Sequence, residues 1–154
     1  MLIRNTKEFL EKTFQKKIIC LDIGKSKIGL AISDLDKKIS TPLKVIKRDS
    51  NFFSDLKKIL IDFEISGILI GLPLNNDLSK NRMCHFIEDI SKNLDTFLKK
   101  NKYELPIFFW DESYTSIEAE DLTKNLFKNQ KKQKKEKDKY AANIILKDFI
   151  SNIE

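Results

Sequence analysis

The segment from Lys17 to Ser33 reads KIICLDIGKSKIGLAIS, and its pattern decides the fold class. Two short apolar runs, at 17–22 and 28–33, flank a turn that contains a glycine. Apolar runs of this length on either side of a short turn are typical of two β-strands joined in a hairpin. We therefore predict an antiparallel strand pair, with Asp22 at the end of its first strand.

The rest of the chain alternates short apolar runs with stretches of helical periodicity. The predicted elements after the hairpin are a strand at 39–46, a helix at 49–62, a strand at 67–71, a long helix that begins near Ser79, a strand at 105–110, and helices at 115–127 and 138–150. This order indicates a single α/β domain over residues 1–154, with a mixed five-stranded sheet flanked by helices.

Two segments do not fit this alternation. Residues 1–16 carry apolar side chains at helical spacing, which predicts either a short N-terminal helix or a loose arm. Residues 128–137 are rich in lysine and contain no apolar residue, so we predict a flexible basic linker between the last two helices.

The composition describes a basic chain without long apolar segments. Lys and Arg total 29 against 23 acidic residues, and the resulting net charge of +6 attracts polyanions such as nucleic acids. Coding bias toward lysine would give the same charge. The two cysteines, Cys20 and Cys84, lie in apolar or helical segments, which favours buried free thiols. No run approaches the roughly 18 to 20 apolar residues that cross a bilayer, so we expect a soluble, cytoplasmic protein without membrane contact.

Carboxylates stand at the ends of several predicted elements. Asp22 precedes a glycine turn, Asp111 and Glu112 follow a strand, and Asp138 begins the last helix. Taken singly, Asp22 is also compatible with an ordinary hairpin turn, and Asp138 with a helix cap. Side chains alternate faces along a strand, so only one of Asp111 and Glu112 can face Asp22 if the strand continues through both. Together, the carboxylates suggest a site for a hard cation such as Mg²⁺.

Four segments resemble the YqgF (RuvX) family of Holliday junction resolvases and pre-16S rRNA nucleases. They are DIGKSKIGLAISD at 22–34, GLPLNN at 71–76, WDESYTSIE at 110–118 and DKYAANIIL at 138–146. The four motifs follow the family's order at compatible spacing and span nearly the whole chain. Their combination is therefore far more specific than any one of them.

The resemblance implies a ribonuclease H-like fold and a metal-dependent endonuclease. Asp22, Glu112 and Asp138 match the family's three acidic active-site positions, and Asp111 would be a supporting residue. The implied cofactor is Mg²⁺, with Mn²⁺ as a substitute. The implied substrate is structured RNA, at the 5′ end of pre-16S rRNA, or else branched DNA, and we expect a monomer or a weak homodimer.

The sequence departs from the family pattern at three positions. Ser113 and Lys27 stand where the family usually has Arg, and Leu78 replaces a customary Gly. Arg grips a phosphate through two hydrogen bonds, whereas Lys supplies a point charge and Ser supplies none. The basic residues that we expect to contact the nucleic acid are Lys25, Lys27, Arg82, Lys131, Lys132, Lys134 and Lys135.

Two other functions remain compatible with parts of the sequence. A non-catalytic nucleic-acid-binding protein would use the same lysines without cutting. A sugar-kinase or actin-like ATPase also has an Asp-x-Gly hairpin, but such enzymes close two domains over a nucleotide. The 154 residues are too few for two such domains, which argues strongly against this class.

Overall fold

The computed structural model describes residues 1–112 and 130–154, with the backbone alone for residues 130–136. The helix predicted at 115–127 lies outside the described residues. The elements in chain order are β1 (Leu2–Ile3), α1 (Thr6–Lys12), β2 (Lys17–Ile23), β3 (Lys27–Ser33), β4 (Ser40–Lys47), α2 (Phe52–Asp62), β5 (Ile65–Leu72), α3 (Arg82–Lys100), β6 (Ile107–Asp111) and α4 (Gln130–Ile153).

The strands form one mixed sheet in the order β1-β6-β5-β2-β3-β4. The predicted hairpin is confirmed, since β2 and β3 pair antiparallel with Asp22 opposite Gly29. Strands β2, β5, β6 and β1 run parallel to one another, and β4 pairs antiparallel with β3. The predicted number of five strands is wrong, because Leu2 and Ile3 add a sixth beside β6. Two residues are too few to show an alternating pattern in a sequence.

Hydrophobic cores cover both faces of the sheet. On one face, apolar side chains of α2 and α3 pack against Ile19, Leu21 and Ile68. On the other face, α1 and α4 pack against Cys20 and Leu69. Because strand side chains alternate faces, each central strand contributes to both cores and reads as a continuous apolar run.

The N-terminal segment forms a helix, which settles the choice between a helix and a loose arm. Asn5 caps α1 by accepting a hydrogen bond of 2.8 Å from the backbone N–H of Glu8. Phe9 is fully buried and its ring lies 5.5 Å from that of Phe108 and 6.0 Å from that of Phe149. These contacts hold α1 against the sheet beside α4.

The basic segment is not the linker that we predicted. Helix α4 already begins at Gln130, so residues 130–137 continue directly into the packed part of the helix. Lys, Gln and Glu have good helix propensity, and the segment contains neither Gly nor Pro. A lysine-rich segment without apolar residues can therefore continue a helix as readily as it can form a linker.

The long helix α3 begins at a well-defined cap. Asn81 accepts a hydrogen bond of 3.0 Å from the backbone N–H of Cys84, and its amide donates to the carbonyl of Pro73 at 2.7 Å. Asn81 thus joins the start of α3 to the loop that follows β5. Neither α3 nor any other helix in the described part is long and apolar enough to span a lipid bilayer.

Leu78 lies in that loop with a φ of 68°, in the left-handed region that glycine adopts readily. Its backbone N–H donates to the carbonyl of Asn75 at 2.8 Å, which closes a tight turn. The side chain is 65% exposed and so contributes little burial. Leucine is therefore held in a conformation that costs about 1–2 kcal/mol for a residue with a Cβ.

We expect Leu78→Gly to raise the free energy of unfolding by roughly 0.5–1 kcal/mol, because relief of backbone strain exceeds the added entropy of the unfolded chain. Urea denaturation measures the change. Leu78→Ala is the matched control, since it removes the exposed side chain and keeps the Cβ. An equal gain in the alanine variant would show that the exposed leucine, and not its φ, is unfavourable.

Candidate active site

Two of the three predicted carboxylates meet at one edge of the sheet. Asp22 lies near the end of β2, and Glu112 follows the last residue of β6. Strand β5 lies between these two strands, and all three are parallel, so their carboxyl ends share an edge. The backbone N–H of Glu112 donates to the carbonyl of Leu72 at 3.1 Å, which ties the residue to the end of β5.

The side chains of Asp22 and Glu112 share a hydrogen bond. Two carboxyl groups can form such a bond only when one of them keeps a proton. Burial raises the pKa of Asp22 from 3.8 to about 6; the hydrogen bond with Glu112 lowers it, the charge of Asp138 raises it, and the charge of Lys137 lowers it. The pair therefore carries a proton at a pH where an exposed aspartate has none.

Asp138 approaches from the helix on the same face. Helix α4 crosses β3 so closely that a Cβ on Gly29 would lie 2.4 Å from the backbone oxygen of Asp138. Any larger residue at 29 would therefore push the helix away. Since Gly29 is opposite Asp22 in the hairpin, the close crossing brings Asp138 near enough for its charge to raise the pKa of Asp22.

Gly71 provides the space for Glu112. A Cβ on Gly71 would lie 3.1 Å from the carboxyl carbon of Glu112 and 2.7 Å from Cδ1 of Ile145 on α4. The Glu112 side chain thus lies over β5, beside the helix, on the side where Asp22 stands. This arrangement selects Glu112, rather than Asp111, as the carboxylate that faces Asp22.

A small cleft of about 160 Å³ opens beside the acidic residues. Its lining residues are Asp22, Gly24, Lys25, Ser26, Lys27, Gly29 and Asp138. Two of the predicted phosphate contacts, Lys25 and Lys27, therefore lie next to two of the predicted carboxylates. Both lysine side chains are exposed, so the cleft joins acidic groups at its base with ammonium groups at its rim.

The other predicted nucleic-acid contacts are placed less directly. Arg82 is exposed at the start of α3, on the face of the sheet opposite α4. The side chains of Lys131, Lys132, Lys134 and Lys135 are outside the described part, although their backbone is helical. Ser113 is likewise outside it.

Cys20 lies beneath the carboxylates on the same face of β2. Burial raises the pKa of its thiol well above the usual value, and the charges of Asp22 and Glu112 raise it further. The thiol therefore stays protonated and behaves as a small apolar group. This agrees with the buried free cysteine expected from the sequence.

The structure adds two residues that the sequence pattern did not single out. Lys137 supplies the positive charge that lowers the pKa of Asp22. Arg48 follows β4, and its guanidinium donates to the backbone carbonyl of Lys25 and lies 4.7 Å from the ring centroid of Phe86. Neither role has a sequence signature, because each depends on which segment crosses the hairpin.

The donor set fits a hard divalent cation. Within residues 1–112 and 130–154, no three carboxylate, imidazole or thiol groups form a complete metal-binding set in this conformation. Asp22 and Glu112 instead face each other through their hydrogen bond, with Asp138 close by. Carboxylate oxygens are the ligands that Mg²⁺ prefers, and a cation between them would replace the proton.

The chain is similar to known proteins over most of its length. A family model described as "RuvX: Holliday junction resolvase" matches residues 16–152. A Mycoplasma mobile protein named "Putative pre-16S rRNA nuclease" is 40% identical over 139 residues, which cover 86% of this chain and 90% of that protein. A Pelagibacter ubique protein of the same name is 32% identical over 148 residues, which cover 93% of this chain and 95% of its own.

The fold is also similar to a solved structure of RuvC from Thermus thermophilus. The TM-score is 0.54 at 10% identity, with 89% of this chain and 96% of that chain covered. At this identity the likeness concerns the fold alone, and it confirms the ribonuclease H-like fold class. Since the family model spans almost the whole chain and both relatives exceed 30% identity over most of their length, the chain belongs to the RuvX family.

Proposed function

We propose that this protein is a nuclease that hydrolyses nucleic acid phosphodiester bonds at the cleft beside Asp22. The observation that carries the proposal is the meeting of Asp22 and Glu112, from separate strands, with Asp138 from a helix close by. A protein that only binds nucleic acid has no need to bring half-buried carboxylates together beside its lysines. Such a cluster costs stability and repels the phosphates of a ligand.

We assign Asp22, Glu112 and Asp138 as the residues that hold a divalent ion, Mg²⁺ or in its place Mn²⁺. The raised pKa of Asp22 supports this, because burial and like charge disfavour its ionised form without a cation. A bound ion would supply the activation of a water molecule and the stabilisation of the leaving oxygen. The site contains no histidine, since the single His85 is exposed on α3.

Lys25 and Lys27 would hold the phosphate next to the bond that is cut. They rim the cleft on the β2–β3 hairpin, within the same lining as Asp22 and Asp138. An ammonium group is a point charge with three rotatable donors, so it holds a phosphate without fixing its orientation as tightly as Arg would. Orientation of the substrate would then depend more on the carboxylate side of the cleft.

We propose structured RNA as the substrate, at the 5′ end of pre-16S rRNA, with branched DNA as the second candidate. The names of the Mycoplasma and Pelagibacter relatives favour the RNA, and the description of the family model favours the junction. Cleavage of a pre-16S rRNA fragment and of a four-way DNA junction, side by side, distinguishes them. Preference for RNA requires contact with the 2′-hydroxyl, so an RNA with 2′-deoxy substitutions at the cut identifies it.

We expect Asp22→Asn to reduce Mg²⁺-dependent cleavage at least about 100-fold, because the amide cannot supply the carboxylate charge to the ion. Nucleic acid binding in EDTA should change by less than about threefold, since the lysines carry it. Single-turnover cleavage and fluorescence anisotropy measure the two quantities. Asp36→Asn is the matched control, because Asp36 lies at the opposite end of the hairpin strands, in the turn after β3.

The non-catalytic alternative makes a different prediction. A protein that only binds nucleic acid shows no cleavage that depends on Asp22, and any trace activity persists unchanged in the Asp22→Asn variant. That outcome would remove the assignment of the three carboxylates. Loss of cleavage in the Asp36→Asn control would point to a folding defect instead.

The raised pKa of Asp22 predicts that the metal-free protein loses folding stability as pH rises. Below about pH 4 the group is protonated in both the folded and the unfolded chain, so Asp22→Asn changes little. Between pH 4 and 6 the unfolded chain ionises first, and stability of the wild type falls as pH rises. Above pH 6 we expect Asp22→Asn to be more stable than the wild type by about 3 kcal/mol, the equivalent of a shift of roughly two pKa units.

Urea denaturation in EDTA at pH 4 and pH 8 measures this difference. The control is Asp34→Asn, which should act in the opposite direction. Burial raises the pKa of Asp34, but hydrogen bonds from the backbone N–H groups of Ile39 and Lys38 lower it more, and the net shift is downward. An increase in the free energy of unfolding of Asp22→Asn that is equal at both pH values would refute the electrostatic explanation.

A divalent ion should offset the loss of folding stability that the ionised Asp22 causes. We expect MgCl₂ or MnCl₂ to raise the melting temperature of the wild type at pH 8, because the ion binds the folded carboxylate cluster and not the unfolded chain. Asp22→Asn should lose most of this shift, whereas Asp36→Asn should keep it. Differential scanning fluorimetry with NaCl at matched ionic strength separates binding of the divalent ion from a general salt effect.

A further inference from the structure

Lys27 and Lys47 are directly opposite each other in the antiparallel pair of β3 and β4. Both side chains are exposed. Side chains at directly opposite positions lie roughly 5 Å apart at Cβ, and like charges there are destabilising. Within the described part of the chain, neither ammonium group has a hydrogen-bond or ion-pair partner. The pair is therefore a local concentration of positive charge without an ion pair to a described residue.

The register places this pair on the same face of the sheet as the acidic residues. Lys27 is two residues from Gly29, so both project to one face, and Gly29 is opposite Asp22. Lys47 shares that face as the partner of Lys27. The exposed Lys44 on the same strand differs, because it pairs with Leu30, whose side chain belongs to the core under α2 and α3.

The pair extends the basic rim of the cleft toward the edge of the sheet. Lys27 lines the cleft itself, and β4 is the outermost strand on that side. Two strand spacings separate β2 from β4, or roughly 10 Å. That distance corresponds to about three nucleotides at roughly 3.4 Å of rise per nucleotide. A strand that enters the cleft would thus cross Lys47 within a few phosphates.

Arg48 holds the backbone that carries the pair. Its guanidinium donates to the carbonyl of Lys25, and its backbone N–H donates to the carbonyl of Ser26 at 2.9 Å. It also lies against the ring of Phe86 on α3. The end of β4 is therefore fixed to the hairpin tip, so Lys47 keeps its position relative to Asp22.

We propose that Lys47, together with Lys27, binds a backbone phosphate of the nucleic acid strand as it leaves the cleft across β3 and β4. This rests on the proposed function, since it takes the cleft as the place where the strand is cut. A polyanion fits the pair because it brings a negative charge at each nucleotide. Binding then offsets the repulsion that the two lysines exert on each other in the free protein.

The test compares Lys47→Gln with Lys44→Gln, which removes the same charge from the same strand on the other face. Affinity for a fluorescent RNA hairpin with a single-stranded 5′ extension is measured in EDTA at several salt concentrations, with a DNA of the same design in parallel. We expect Lys47→Gln to weaken binding about three- to tenfold and to reduce the slope of log affinity against log salt by about 1. Lys44→Gln should leave both values within about twofold of the wild type.

Thermal unfolding gives a readout that a merely structural lysine would not show. Removal of one charge of a repelling pair should raise the melting temperature, so Lys47→Gln should be slightly more stable than the wild type while it binds less tightly. Lys27→Gln should raise the melting temperature for the same reason. The melting temperature of the double variant should rise by less than the sum of the two single increases, because either substitution alone already removes the repulsion.

Three results would overturn the inference. They are equal binding losses in Lys47→Gln and Lys44→Gln, an unchanged salt slope in Lys47→Gln, and a wild type that binds neither RNA nor DNA. Failure of the proposed function looks different, because it appears as cleavage that persists in Asp22→Asn. The binding comparison in EDTA does not depend on that result.

Discussion

The arrangement of this protein depends on holding like-charged carboxyl groups together at one edge of a sheet. Asp22 and Glu112 share a hydrogen bond, and burial together with the charge of Asp138 raises the pKa of Asp22. In water the two groups would separate. Here the parallel pairing of β2, β5 and β6 fixes two backbones, and α4 brings the third group over β3. The free energy for this comes from the two apolar cores on the faces of the sheet.

Two glycines leave the space that the site requires. Gly29 lets the backbone of α4 approach β3, and Gly71 leaves space for Glu112 beside Ile145. The tight helix crossing and the carboxylate cluster are therefore one structural feature. The protein is expected to be less stable without a cation than its core alone would allow, which is common for sites that bind charged ligands.

Backbone pairing also positions the basic groups, at the edge of the sheet. Lys25 and Lys27 rim the cleft, Lys47 stands opposite Lys27, and Arg48 fixes the hairpin tip to the end of β4. Positive charge next to an acidic cluster gives a gradient of electrostatic potential across one small surface. A phosphate is attracted to the rim, while a cation is attracted to the base.

The sequence by itself determined the fold class, the hairpin and the family, because apolar periodicity and the four motifs are local patterns. It offered Asp22, Glu112 and Asp138 as candidate active-site residues through the family resemblance. It did not determine the strand at Leu2–Ile3, which is too short to show a pattern, or the helical state of residues 130–137, whose composition resembles a linker. Only the tertiary structure showed that Glu112 faces Asp22, that the charge of Lys137 acts on Asp22, and that Arg48 contacts the hairpin. It alone placed Lys44 and Lys47 on opposite faces, because those facts depend on register and on how closely one element crosses another.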